Sequence, residues 1–207
     1  MRLLVATRSV GKQGEIRRIL APAGIEVVFP DEIGIYQSSP EELLELGESF
    51  QANARAKAEH FARTSGLPTA ADDSGLEVLS LGGQPGVRSK RWAGATGSPK
   101  AVDAANNAEL LRRLSGAAEG RRQARYRCVV VYLRGPGAIP EVFEGACAGR
   151  ILEAPAGSAG FGYDPLFFSD DLGKSFGEAE PGEKDPVSHR GRAFHALAAA
   201  LTPALHG

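Results

Sequence analysis

Residues 3–29, LLVATRSVGKQGEIRRILAPAGIEVVF, decide the fold. Leu3 to Ala6 form an apolar run of strand length, and Thr7 to Lys12 form a polar stretch that includes a glycine and a lysine. Ile16, Ile19 and Leu20 then recur at helical spacing. Gly24 is placed to stop that helix, and residues 25–29 have the β-branched content of a second strand. A strand, loop, helix and strand in this order predict an α/β fold.

Reading on, residues 30–47 hold Asp31, Glu32, Glu41, Glu42 and Glu45 without a clear period. They read as a long connection, a kind of segment more often functional than idle. Ser49 predicts an N-cap for a helix to about Ser65, with its alanines, Phe50 and Phe61 toward a sheet and its arginines and Lys57 toward water or a ligand. Residues 69–71 and 76–79 are extended, and Asp72-Asp73-Ser74-Gly75 between them reads as a tight loop at strand ends. Ser98 predicts the cap of a helix carrying Val102, Leu110, Leu111 and Leu114. Residues 125–133 and 142–152 predict a long hairpin through Gly135-Pro136-Gly137. Ser188 caps a last helix with Phe194, Leu197, Leu201 and Leu205 in one apolar stripe and His189 and Arg190 in its first turn. With no internal repeat and no linker, residues 1–207 are expected to form a single domain.

Composition narrows the function. The 24 Lys and Arg against 25 Asp and Glu give a net charge of -1, which excludes the broad basic surface of a non-specific nucleic-acid binder. Any polyanion must be held by a local cluster. Cys128 and Cys147 are too few for a disulfide scaffold or a cysteine zinc site. They fall roughly opposite each other if the hairpin turns at Gly135 to Gly137, but two buried thiols in a reducing compartment is the simpler reading. The N-terminus does not read as a signal peptide, and no window approaches the roughly 20 apolar residues of a membrane span. A soluble, cytoplasmic protein with no membrane partner is expected.

Four constellations can carry chemistry, and each has a plainer alternative. Thr7, Arg8, Ser9, Val10, Gly11 and Lys12 stand at a helix start, where free N–H groups, the helix dipole and a lysine suit phosphate. The GxxxxGK[ST] spacing is absent, and a polar turn with an exposed lysine is the alternative. Asp72 and Asp73, with a third acid from the connection before Ser49, suit a hard divalent cation such as Mg²⁺, or else form an ordinary Asx-type turn. Gly160-Phe161-Gly162-Tyr163-Asp164-Pro165 either presents Phe161 to a planar ring or tucks both aromatics into the core. Lys184 with Ser188-His189-Arg190-Gly191 either offers donors to a ligand or is a capped helix with solvated basic residues.

Taken together and in this order, these segments resemble the inosine triphosphate pyrophosphatase family. The motifs that carry the likeness are T-x-x-x-x-K at Thr7 to Lys12, S-F-x-x-N-A-x-x-K-A at Ser49 to Ala58 and A-D-D-S-G-L at Ala71 to Leu76. G-G-x-P-G-V-x-S-x-R at Gly82 to Arg91, Ala159 to Phe167 and E-K-x-x-x-S-H-R-G at Glu183 to Gly191 complete it. The resemblance implies an α/β fold with a long mixed central sheet flanked by helices, in two lobes with the active-site cleft between them. It implies Mg²⁺-dependent hydrolysis of ITP, dITP and XTP to the monophosphate and pyrophosphate, by a homodimer.

Carried over residue by residue, it implies a substrate site of Thr7, Lys12, Ser74, Phe161, Gly162, Tyr163, Asp164, Lys184, His189 and Arg190. In that site Lys12 would meet phosphate, Phe161 would stack on the purine, and His189 and Arg190 would read the 6-oxygen. Asp73 would be the metal-linked general base, with Asp72 and Glu45 beside the ion. Two segments depart from the pattern, the first loop and the second helix. Ser9 replaces an asparagine and Arg8 a common glycine, and Ala52 stands where a glutamate commonly precedes Asn53. A nucleotide sensor without turnover, an RNA-binding module using the hairpin, and a pyrophosphatase for other modified or pyrimidine nucleotides are the competing readings.

Overall fold

The structure is a computed structural model that describes residues 1–37, 41 and 44–202. The opening stretch folds as its period predicts, into β1 (Arg2–Val5), α1 (Val10–Leu20) and β2 (Glu26–Val28). Ser9 caps α1, its hydroxyl accepting from the Lys12 N–H, and Arg17 and Arg18 lie in the last turn, where the helix end is negative. There follow α2 (Phe50–Ser65), β3 (Thr69–Val78), β4 (Gln84–Pro85), α3 (Pro99–Arg113), β5 (Gln123–Leu133) and β6 (Glu141–Ile151). The chain ends with β7 (Phe167–Ser169), β8 (Lys174–Ser175), α4 (Pro181–Val187) and α5 (His189–Leu201). Leu205 and Glu42 lie outside the described residues.

The strands form one mixed sheet in the order β2-β1-β3-β5-β6-β7-β8, with β4 paired to β3. β1 is parallel to both β2 and β3, with Leu4 opposite Val28 on one side and Thr69 on the other. β4 is antiparallel to β3, and β7 is antiparallel to β6 and β8. The α/β class and the mixed sheet are those expected. β3 differs from expectation, because it runs unbroken through Asp72-Asp73-Ser74-Gly75 instead of turning there. Both carboxylates find cationic partners inside the fold, so their turn preference does not decide the backbone.

The chain forms two compact units, residues 1–73, 128–145 and 190–207 in the first and 74–127 and 146–189 in the second. β3, β5 and β6 each contribute residues to both. In the first unit the sheet is covered on two faces. Leu3, Val5, Ala70 and Val130 pack with Ile16 and Leu20 of α1 and with Phe194 and Leu197 of α5. Their neighbours Leu4, Ala6, Ala71 and Val131 pack with Ala54, Ala58 and Phe61 of α2. Successive residues of a strand point to opposite faces, so a strand covered on both reads as an unbroken apolar run.

In the second unit Leu76, Val78, Ala124, Tyr126, Cys147, Ile151 and Phe167 pack with Leu110 of α3 and with Leu114, which caps its end. β6 alternates there, with Ala146 and Ala148 exposed between buried neighbours. β5 shows both regimes, since Ala124 and Tyr126 are buried around an exposed Arg125, while every residue from Cys128 to Leu133 is buried. The pattern changes where the strand passes from the second unit into the first. Cys128 and Cys147 are buried free thiols. No helix among the described residues is long and apolar enough to cross a membrane.

Candidate active site

In the first unit Asp72, fully buried on β3, accepts from the Lys12 ammonium at 2.8 Å and lies 3.6 Å from Arg190 Nε. Burial opposes its charge, but Lys12, Arg190 and Lys57 together outweigh that and hold the carboxyl well below the usual carboxylate range. Arg190 is itself buried and also donates to Glu15 of α1. The two acids overcome the penalty of burial and raise its pKa. Cys128 Sγ lies 3.9 Å from Asp72, and burial together with that carboxylate pushes the thiol up, so it stays protonated and is no nucleophile.

Asp73 meets a different environment. Its Oδ2 accepts from Asn53 Nδ2 at 2.8 Å, and its Oδ1 is 3.9 Å from Lys57 Nζ. Here burial prevails over Lys57, Lys12 and the Asn53 hydrogen bond, and the carboxyl is lifted above its ordinary value. Two adjacent aspartates thus have opposite proton affinities.

Lys57, expected to face water or a ligand, is buried instead. It donates to the Asp72 carbonyl at 2.6 Å and to Glu45 at 2.9 Å. Burial would lower its pKa, but Glu45, Asp73 and Asp72 reverse the effect. Asn53 and Lys57 stand one turn apart on α2, so both face β3. Asn53 Oδ1 also accepts from the Gly47 N–H at 2.8 Å, and a Cβ at position 47 would stand 2.6 Å from that oxygen. A side chain at position 47 would have to displace the Asn53 amide, so glycine suits the close approach of the segment carrying Glu45 to α2. The N-A-x-x-K spacing held this signal, but the roles of Asn53, Lys57 and Glu15 depend on what packs opposite them.

The loop before α1 divides its tasks. Thr7 is buried, with Oγ1 accepting from the Ser9 N–H at 3.3 Å, and the Ser9 hydroxyl serves the helix cap. Val10 is exposed and, with Gly11, forms the first turn. Lys12 is the side chain of this loop that reaches the carboxylates. Arg8 forks onto both oxygens of Glu41 at 2.7 and 2.8 Å, and donates to Asp31 and to the Ile35 carbonyl. Ala52 is exposed, and its N–H donates to the capping hydroxyl of Ser49.

A second group of candidates lies in the other unit. Asp164 is buried, and its Oδ2 accepts from the Phe161 N–H at 2.9 Å and from Lys184 of α4 at 2.6 Å. The Lys184 ammonium also stands 5.3 Å from the Phe161 ring centre and 5.1 Å from that of Phe176. Gly160 has a φ of 74°, and a Cβ there would overlap the Asp164 carboxylate, so this turn needs glycine twice over. The Tyr163 hydroxyl donates to the Ser89 carbonyl at 2.8 Å, and burial pushes the phenol up, which keeps it a donor. Phe161 is half-buried, as is Ser74 on β3. His189 is buried with its ring stacked on Tyr126, 4.5 Å between centres and 7° from parallel.

Lys12, Glu45, Asp72, Asp73 and Arg190 are therefore linked through shared partners in the first unit, and Phe161, Asp164 and Lys184 in the second. Among the described residues no group of three or more His, Cys, Asp or Glu side chains forms a ready-made metal cage. The carboxylates offer oxygen donors alone. That chemistry fits a hard cation such as Mg²⁺, which takes one or two carboxylates and completes its shell with water and substrate phosphates.

Fold and side chains together define the class, a mixed-sheet α/β protein with buried carboxylates interleaved with lysine and arginine. The chain belongs to the Ham1 family, whose sequence profile matches residues 3–200. It is 44% identical over 197 residues to a dITP/XTP pyrophosphatase of Ralstonia nicotianae, covering 95% of this chain and 94% of that one. It is 47% identical over 192 residues to a dITP/XTP pyrophosphatase of Syntrophobacter fumaroxidans, covering 93% and 78%. Among solved structures, a HAM1 protein from Coxiella burnetii superposes with a TM-score of 0.84 at 32% identity over 98% of this chain and 99% of that one. A nucleoside-triphosphatase, dITP/XTP pyrophosphatase, from Mycobacterium abscessus does so with a TM-score of 0.71 at 41% identity, covering 95% and 98%.

Proposed function

We propose that this protein hydrolyses the non-standard purine nucleoside triphosphates ITP, dITP and XTP to the monophosphate and pyrophosphate, with Mg²⁺ as cofactor. The observation that carries the reading is the setting of Asp73, a buried carboxylate whose Oδ2 accepts from Asn53 and whose Oδ1 faces Lys57, itself paired with Glu45. It lies in a chain 44% identical over nearly its whole length to proteins named dITP/XTP pyrophosphatase.

In this mechanism Asp73 takes a proton at Oδ1 from the water that attacks the α-phosphorus. The new bond joins that water's oxygen to the α-phosphorus, the bond to the bridging oxygen breaks, and pyrophosphate leaves. Burial lifts the metal-free Asp73 carboxyl, whereas Lys57 and a bound cation would keep it ionised and able to take the proton. Asn53 fixes the carboxylate by occupying Oδ2 and leaving Oδ1 for the water. Glu45 and Asp73 would hold the Mg²⁺, with Asp72 beside them, and the ion supplies positive charge to the phosphate oxygens as negative charge shifts onto the leaving group. Lys12 and Lys57 add fixed cations that the chain supplies itself.

Base recognition falls to Phe161, His189 and Arg190. Phe161 offers a face for stacking, and Asp164 and Lys184 set its turn. His189, its ring held against Tyr126, and Arg190 donate to a 6-oxo group. Adenine presents an amino donor there and would leave them unmatched, a mismatch that discriminates strongly in a buried site. Arg8, held by Glu41 and Asp31, steadies the acidic connection beside the phosphate loop. The same reading makes the protein a cytoplasmic homodimer, which light scattering at micromolar concentration tests. Phosphorus NMR of ITP with enzyme and Mg²⁺ should show inosine monophosphate and pyrophosphate. Inosine diphosphate and orthophosphate, or no product, would contradict the assignment.

A further inference from the structure

Gly162, within the Phe161–Asp164 turn, is held by both of its backbone polar groups. Its N–H donates to Asp103 Oδ2 at 2.8 Å, and its carbonyl accepts from Asn107 Nδ2 at 3.0 Å. Asp103 and Asn107 stand one turn apart on α3, so one helix face presents an acceptor and a donor to a single peptide position. The next side chain, Tyr163, is anchored elsewhere, through its hydroxyl to Ser89. On the other side of Gly162, the Phe161 N–H is fixed by Asp164, which in turn binds Lys184. Gly162 itself sits at a φ of 64°, where backbone conformation is soft for glycine. Without an external hold, rotation about this residue would swing Phe161 while leaving Tyr163 in the core.

We propose that Asp103 and Asn107 act as a two-point clamp on Gly162 that sets the orientation of the Phe161 ring for the purine base, and are positioning residues for substrate recognition. The proposal rests on the assignment of Phe161 as the stacking residue. Asp103 and Asn107 hydrogen-bond to Gly162 and not to the carboxylates that carry the hydrolytic step in that assignment. Loss of the clamp should therefore weaken binding of the base and leave turnover of bound substrate intact.

The test is steady-state kinetics with ITP and ATP on purified wild type, Asp103→Ala, Asp103→Asn, Asn107→Ala and Asn107→Asp, with thermal melts alongside. Asp103→Ala and Asn107→Ala should raise KM for ITP roughly tenfold at little-changed kcat, the scale of one lost hydrogen bond to a positioned group. Asp103→Asn keeps an acceptor for the Gly162 N–H and should restore KM to near the wild-type value. Asn107→Asp loses the donor and sets a carboxylate against the Gly162 carbonyl, so it should be at least as impaired as Asn107→Ala. Unchanged KM in both alanine variants, or a fall in kcat at constant KM, overturns the proposal. If an alanine variant fails to fold, the Asp103→Asn and Asn107→Asp pair decides: equal KM values for the two overturn it. Failure of the wild type to release pyrophosphate from ITP would instead refute the functional assignment on which the clamp depends.

Discussion

Replacing Asp73 by asparagine should separate activity from stability. The amide keeps the shape of the carboxylate and an oxygen to accept from Asn53 Nδ2, so the 2.8 Å hydrogen bond survives. What is lost is the charge facing Lys57 at 3.9 Å, an attraction of about 4 kcal/mol at an effective dielectric near 20. Burial outweighs that attraction, because the carboxyl has a raised proton affinity in the fold. A carboxyl with a raised folded pKa contributes stability below its unfolded pKa and loses it as pH rises through the folded one. At neutral pH the ionised Asp73 is therefore a net cost that asparagine removes.

Without Mg²⁺, Asp73→Asn should accordingly melt at or above the wild-type temperature at pH 7, with the difference closing as pH falls below the ordinary carboxylate range. Turnover should drop by about 10² to 10⁴, the usual contribution of a general base. Calorimetry across that pH range, paired with pyrophosphate release, checks both halves. A variant that is markedly less stable at pH 7, or that keeps near-normal turnover, would refute the assignment.

Other outcomes follow from the same contacts. Arg190→Ala leaves Glu15 and Asp72 buried without their shared guanidinium, and should cost about 3–5 kcal/mol in a denaturant melt. What activity remains should fall more for ITP and XTP than for ATP; an equal loss for all would make Arg190 purely structural. Gly160→Ala forces a Cβ onto the Asp164 carboxylate at a positive φ, and should weaken nucleotide binding in a titration through loss of the Lys184 and Phe161 contacts. Unchanged affinity would detach that turn from recognition. Cys128 and Cys147, both buried, should react with a thiol reagent only on unfolding, and rapid labelling of the native protein would contradict their placement.

The parts of this fold that were legible from sequence are those set by local periodicity. The strand, helix and strand of residues 2–28 form because Leu3 and Val5 face one layer and Leu4 and Ala6 the other, and because Ile16 and Leu20 return to the first. The Asp72-Asp73 segment misled because its fate is settled from afar. Lys12 lies 60 residues from Asp72 in the chain and Lys57 lies 15 from it, and their charges let β3 continue through two acids that would prefer a turn.

Lys57 misled for the matching reason, since an ammonium on an alanine-rich helix reads as solvated until Glu45 and the Asp72 carbonyl are placed against it. Asp103 and Asn107 gave no signal, because their partner Gly162 is more than 50 residues away and offers only backbone. β7 and β8, three and two residues long, carry no period to detect.

The most direct test of the central claim is a comparison of initial rates of pyrophosphate release from ITP, dITP, XTP, GTP and ATP, with Mg²⁺ and after chelation. Rapid release from ITP, dITP and XTP, little from ATP, and none without the metal is the predicted result. Comparable rates for ATP and ITP, or full activity after chelation, would contradict it.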